Sequence, residues 1–142
     1  KKLVILGFAF KSNTNDTRES PAIQLSIDLL NEDANLIFND PKVTKEKIVE
    51  VLSNEKSNFK KDEKKLNKKI FFEQDIYKAV VNSDAIILIT DWEEYTNLNW
   101  QKISNLMRKP SWVFDTRAIL EPKKVRSEGI NLWQVGEGNY KR

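Results

Sequence analysis

The strongest constraint on this chain is an alternation. Six short apolar runs, four to six residues each, are separated by polar turns and by segments with helical spacing. Lys2–Leu6 (KLVIL) is the first run, and Gly7 ends it. Asn35–Asn39 (NLIFN) is the second, stopped by Asp40 and Pro41. Ile70–Glu73, Ala85–Thr90 (AIILIT), Trp112–Asp115 (WVFD) and Asn131–Val135 follow. Runs this short and this uniformly apolar read as strands buried on both faces, as in a parallel sheet. The segments between them carry helix signals. Ser20 and Pro21 suit an N-cap and a first helical position, with Ile23, Ile27 and Leu30 inward. Thr44, Asp75 and Asn99 can cap helices over Lys45–Leu52, from Ile76, and over Trp100–Met107; Pro122–Glu128 ends at Gly129. The pattern predicts an α/β, Rossmann-like, three-layer domain over residues 1–142, with a mostly parallel sheet of five or six strands. Right-handed crossovers give 3-2-1-4-5-6 as the expected strand order.

Composition narrows the chemistry. The chain has no cysteine and no histidine, which removes thiol and imidazole catalysis and the usual zinc ligands. No metal site and no catalytic residue is expected. Absence of cysteine fits a cytoplasmic protein. No apolar run approaches the length of a membrane span, so no membrane partner is expected. The net charge of +3 has a local source: Ser53–Lys69 (SNEKSNFKKDEKKLNKK) alone carries +4. One lysine-rich run reads as a solvated insertion and not as a nucleic-acid surface, so no nucleic-acid partner is expected.

In such a sheet, ligands bind beyond the carboxyl ends of the strands, at the switch in strand order. Three loops are then suspect: Phe8–Glu19, Asp91–Leu98 and Thr116–Leu120. The first holds Lys11 and Arg18 near a helix start, where a phosphate would be favoured; the alternative is that Arg18 pairs with Asp16 or Glu19 and Lys11 is solvated. The third places Arg117 where its planar fork could grip a phosphate or sugar hydroxyls, or else pair with Asp115 or Asp16. Trp92, Tyr95 and Trp100 could stack on a base but read first as helix–sheet packing, and Glu93–Glu94 reads as a helix start. A glycine-rich dinucleotide cradle is missing: Gly7 is followed by Phe8, Ala9 and Phe10.

Three stretches carry a resemblance. GFAFKSNTNDTRESPA (Gly7–Ala22), SDAIILITDWEEYTNLNW (Ser83–Trp100) and VFDTR (Val113–Arg117) resemble, in order, the C-terminal domain of the UDP-glucose and GDP-mannose dehydrogenase family. Thr90-Asp91-Trp92 looks closest to the branch that oxidises UDP-glucose. The resemblance implies a division of labour. A preceding N-terminal domain holds NAD, the catalytic cysteine also lies upstream, and this domain binds the sugar nucleotide. It implies substrate contacts at Phe10, Lys11 and Arg117, and an NAD contact at Arg18. The whole enzyme would be a cytoplasmic homo-oligomer that oxidises UDP-glucose to UDP-glucuronate with two NAD. This chain would be one part of it, inactive alone, and an exposed apolar patch would mark where the remainder packs. Thr116 stands where close relatives often have glycine, a feature shared with branches acting on N-acetylated UDP-sugars. The rival expectations are a UDP-N-acetylmannosamine or GDP-mannose dehydrogenase domain, and a free-standing nucleotide-binding module.

Overall fold

The computed structural model describes residues 1–54 and 63–137. Its six strands are β1 (Lys2–Leu6), β2 (Asn35–Asn39), β3 (Ile70–Phe72), β4 (Ala85–Leu88), β5 (Trp112–Asp115) and β6 (Asn131–Gln134). They form one sheet in the order β3-β2-β1-β4-β5-β6, as expected, and every neighbouring pair is parallel. Helices α1 (Pro21–Asn31), α2 (Lys45–Asn54), α3 (Glu63–Lys69), α4 (Ile76–Ala79), α5 (Trp100–Leu106) and α6 (Pro122–Arg126) connect them. The core lies on β1 and β4, where Val4, Ile5, Leu6, Ile86 and Leu88 are wholly buried. None of the helices is long and apolar enough to cross a membrane.

Local chemistry sets the helix starts. The Ser20 hydroxyl accepts the Ala22 N–H at 3.2 Å, with Pro21 opening α1. Thr44 caps α2 through Lys47 N–H, Asp75 caps α4 through Tyr77 and Lys78 N–H, and Asn99 caps α5 through Lys102 N–H. Each cap satisfies donors that a helix cannot pair internally.

Three expectations change in detail. Strand β4 stops at Leu88 instead of Thr90, because the N–H groups of Ile89 and Thr90 both turn to the Leu6 carbonyl. Helix α4 has four residues, and Asn82 at φ 58° ends that segment, leaving Val81 exposed. Part of the lysine-rich run is structured: α3 buries Leu66 completely against the core. Residues 55–62 of that run lie outside the described residues.

Gly7 fixes how β1 leaves the sheet. Its φ is +96°, and a Cβ there would overlap the Thr90 side chain and lie 2.7 Å from the Thr90 nitrogen. That close approach lets Thr90 Oγ1 donate to the Ala9 carbonyl at 2.8 Å, tying the β1 loop to the end of β4. Any side chain at this position meets both a disfavoured backbone and a backbone neighbour that cannot yield. Gly7→Ala should therefore lower unfolding stability by about 3 kcal/mol. Urea denaturation checks this, and a midpoint matching the wild type would refute the close packing of Gly7 on Thr90.

Candidate functional site

All three suspect loops meet at the carboxyl edge of the sheet, beside the β1/β4 switch in strand order. Asp91 joins them. Its Oδ1 accepts the Ser12 N–H of the β1 loop at 3.3 Å, and its Oδ2 lies 3.5 Å from Arg117 Nη2 of the β5 loop. The loop holding Phe10 and Lys11 is thereby linked to the loop holding Arg117. Phe10 is 44% exposed, and Lys11 is exposed with no ion pair among the described residues. The backbone that follows Phe10 and Lys11 meets Asp91 from one side, and the Arg117 guanidinium reaches it from the other. A ring, an ammonium and a guanidinium can stack on a flat group and neutralise phosphate.

Beneath these loops lies a buried acceptor, Asp40, directly after β2. Its Oδ2 accepts Phe8 N–H at 2.7 Å, Ala9 N–H at 3.1 Å and the Trp92 indole N–H at 3.3 Å. Its Oδ1 accepts Lys42 and Val43 N–H at 2.8 and 2.9 Å. Sequence reasoning took Asp40 only as a strand stop. An acid at the end of the second strand is where dinucleotide folds place their ribose ligand. Here it points inward and is fully occupied. The N–H groups that open the β1 loop are likewise engaged, so these residues do not fit the pyrophosphate of NAD as a primary cradle. The missing glycines agree.

Asp115 does comparable work after β5. It is fully buried and accepts Arg117 N–H at 3.0 Å, Leu120 N–H at 2.9 Å and Gln134 Nε2 at 2.9 Å. The alternative offered for Arg117, a side-chain pairing with Asp115 or Asp16, does not form. Asp115 holds the Arg117 backbone, and the guanidinium reaches across to Asp91. Thr116 is engaged too: its hydroxyl donates to the Leu88 carbonyl at 2.7 Å.

Arg18 makes the pairing with Asp16 that the sequence offered as one of its readings. It pairs with Asp16 through Nε at 3.0 Å and Nη2 at 2.9 Å, while its side chain stays 87% exposed. The aromatics of the β4 loop pack as expected. Trp92, Tyr95 and Trp100 are buried, and the Tyr95 hydroxyl donates to Asn39 Oδ1 at 2.9 Å. Burial, followed by the nearby Asp40 and Glu94 charges, raises the Tyr95 phenol far above its ordinary range. Glu93 and Glu94 open a 3-10 turn over Glu93–Asn97. Burial and Asp40 also raise the Glu94 carboxyl. No group of three metal-ligating side chains occurs among the described residues.

Comparisons with known proteins agree with this arrangement. Residues 4–122 match the model of the UDP-glucose/GDP-mannose dehydrogenase family, UDP binding domain. UDP-glucose 6-dehydrogenase 1 of Glycine max is 38% identical over 143 residues, covering 96% of this chain and 30% of that protein. Among solved structures, a UDP-glucose dehydrogenase of Pyrobaculum islandicum is 26% identical with a TM-score of 0.64, covering 93% of this chain and 24% of that one. The NDP-N-acetyl-D-galactosaminuronic acid dehydrogenase of Methanosarcina mazei reaches a TM-score of 0.72 at 20% identity, over 95% and 24% of the two chains, and bears on the fold alone. The chain spans about 30% of the length of the curated relatives it matches. It belongs to the UDP-glucose/GDP-mannose dehydrogenase family, of which it is the UDP-binding domain.

Proposed function

We propose that this chain is the sugar-nucleotide-binding part of an NAD-dependent UDP-glucose 6-dehydrogenase, and that the whole protein converts UDP-glucose to UDP-glucuronate. The observation that carries this reading is the Asp91 junction, which sets Phe10 and Lys11 against Arg117 across one edge of the sheet. In this reading Phe10 and Lys11 contact the UDP-sugar and Arg117 takes a phosphate or sugar oxygen. Arg18, with Nη1 not engaged by Asp16, reaches an NAD held by the rest of the protein. The chain alone does not catalyse: it has neither cysteine nor histidine, and its β1 loop offers no dinucleotide cradle. The whole enzyme is a cytoplasmic homo-oligomer in this proposal.

A second reading keeps the site and changes the sugar. Thr116 is shared with branches that act on N-acetylated UDP-sugars, but its hydroxyl is bonded to Leu88. That bond gives it a structural use independent of the sugar, which favours UDP-glucose. Comparing UDP-glucose, UDP-N-acetylmannosamine and GDP-mannose as substrates of the intact protein separates these readings.

Titrating the chain with UDP and UDP-glucose should move amide resonances at Phe10–Lys11 and Arg117. Loss of one charge-assisted contact, in Lys11→Ala or Arg117→Ala, should weaken binding by about tenfold to a hundredfold. Responses confined to other parts of the sheet, or NAD reduction by the chain alone with UDP-glucose, would refute the reading.

The pairing of Arg18 is testable by pH. Hydrogen bonds from the Arg18 side chain lower the Asp16 carboxyl from 3.8 to about 2. A depressed carboxyl contributes above its unfolded value and loses that contribution as pH falls through the folded value. The pair should therefore persist above pH 3.8 and open near pH 2. Carbon-detected NMR should find Asp16 titrating near 2 and, in Arg18→Ala, higher, toward 3.8 but still lowered by the backbone N–H of residue 18. A wild-type midpoint near 3.8 would mean that the pair does not form in solution.

A further inference from the structure

Arg117 is fixed at its backbone and loose at its guanidinium. Asp115 accepts the Arg117 N–H at 3.0 Å. Next to it, Thr116 donates both its N–H, at 3.2 Å, and its hydroxyl, at 2.7 Å, to the Leu88 carbonyl. The guanidinium has one partner among the described residues, Asp91 Oδ2 at 3.5 Å. That contact is longer than the about 2.8 Å of a well-made charge-assisted bond, and it leaves most of the fork's donors unused.

Asp91 is the fixed member of the pair. It lies between two buried residues, each tied to another loop. The Thr90 hydroxyl donates to the Ala9 carbonyl at 2.8 Å, and the Trp92 indole donates to Asp40 Oδ2 at 3.3 Å. The backbone at Asp91 is therefore held independently of Arg117. The β1 loop is closed as well: Phe10 N–H donates to the Asp16 carbonyl at 2.7 Å, and within that closure Ser12 N–H reaches Asp91 Oδ1. One carboxylate oxygen serves each loop.

A carboxylate beside an anion site has a cost, because like charges repel and the acid competes for the arginine. It is offset where a long side chain would otherwise have to be ordered on binding. The side chains of Arg117 and Asp91 are 35% and 34% exposed, so water screens the pair and the guanidinium can turn outward while Asp91 stays. We propose that Asp91 is a positioning residue: it holds the Arg117 guanidinium ready for a phosphate of the sugar nucleotide and itself touches no part of the ligand. The inference rests on the sugar-nucleotide reading for the identity of the anion, but the orientation of the guanidinium can be tested without it.

The experiment has two arms. In the ligand-free chain, the side-chain N–H resonances of Arg117 are followed together with the Ser12 amide. Asp91→Asn keeps one side-chain oxygen for Ser12 N–H and removes the charge that faces Arg117. The Ser12 amide should stay in place, and the Arg117 resonances should exchange faster with water. An unchanged Arg117 signal overturns the proposal, whatever the chain binds. In the second arm UDP-glucose is titrated into Asp91→Asn, Arg117→Ala and the double variant. Asp91→Asn should weaken binding about threefold to fivefold, although it removes a negative charge from an anion site. In the Arg117→Ala background it should cost nothing further. Tighter binding in Asp91→Asn would mean that repulsion outweighs orientation, and an equal loss in both backgrounds would mean a general structural role; either overturns the proposal. A wild-type chain that binds UDP-glucose only elsewhere refutes the sugar-nucleotide reading, and the first arm then decides this one alone.

Discussion

The Asp40 carboxylate is the interaction on which the rest of the binding edge depends. A carboxylate withdrawn from water is tolerated only when its lone pairs are satisfied. Asp40 is satisfied from three directions: by Phe8 and Ala9 at the end of β1, by its own turn at Lys42 and Val43, and by Trp92 after β4. One side chain therefore fixes where three strands release their loops. Asn39 extends the same arrangement. Its amide donates to the carbonyls of Glu73 and Gln74, and its side-chain and main-chain oxygens accept the Tyr95 hydroxyl. The ends of β1, β2, β3 and β4 are thus tied by a buried polar network that leaves Asn39, Asp40 and Tyr95 no unpaired side-chain group.

This network sets the sheet apart from a dinucleotide-binding domain of the same fold. In a dinucleotide-binding domain the first loop keeps its N–H groups for pyrophosphate, and glycines let the cofactor approach. Here an internal carboxylate takes those N–H groups, and the loop carries Phe8, Ala9 and Phe10 where glycines would be. In the proposed function, affinity for a nucleotide comes instead from side chains that project beyond the closed turn, namely Lys11, Arg18 and Arg117. Fold and ligand chemistry separate at this point, and the separation lies in the hydrogen bonds of Phe8 and Ala9.

The elements that were legible in the sequence are those set by local rules. Strand positions followed from apolar runs, helix starts from Ser20, Thr44, Asp75 and Asn99, and strand order from the handedness of crossovers. Asp40 was not legible as a hub, because its partners lie 32 and 52 residues away in sequence and nothing next to it indicates them. Arg117 illustrates the same limit. Nearby acids suggested its partners, yet the fold brings Asp91 of another loop to its guanidinium. Leu66 was hidden by composition. One apolar residue among lysines carries little periodicity, but α3 places it in the core.

Topology also accounts for the exposed aromatics. Moving from β1 to β2 to β3, right-handed crossovers put α1, α2 and α3 over one face; moving from β3 through β4 to β6, they put α4, α5 and α6 over the other. Each face is then covered at one end and open at the other. The register puts Trp112, Phe114 and Trp133 on the first face at its open end, where Trp112 is 41% and Trp133 48% exposed. Val113 and Leu132, on the opposite face of the same strands, are buried. At the other edge the situation reverses: Phe71 of β3 is 46% exposed on the second face, while Ile70 is buried on the first. Trp112 and Phe114 stack 5.6 Å apart and partly shield each other, but parallel strands are stable when both faces are covered. No crossover among these six strands can reach the first face above β5 and β6 without reversing its hand. Among the described residues the tryptophan corner therefore stays open.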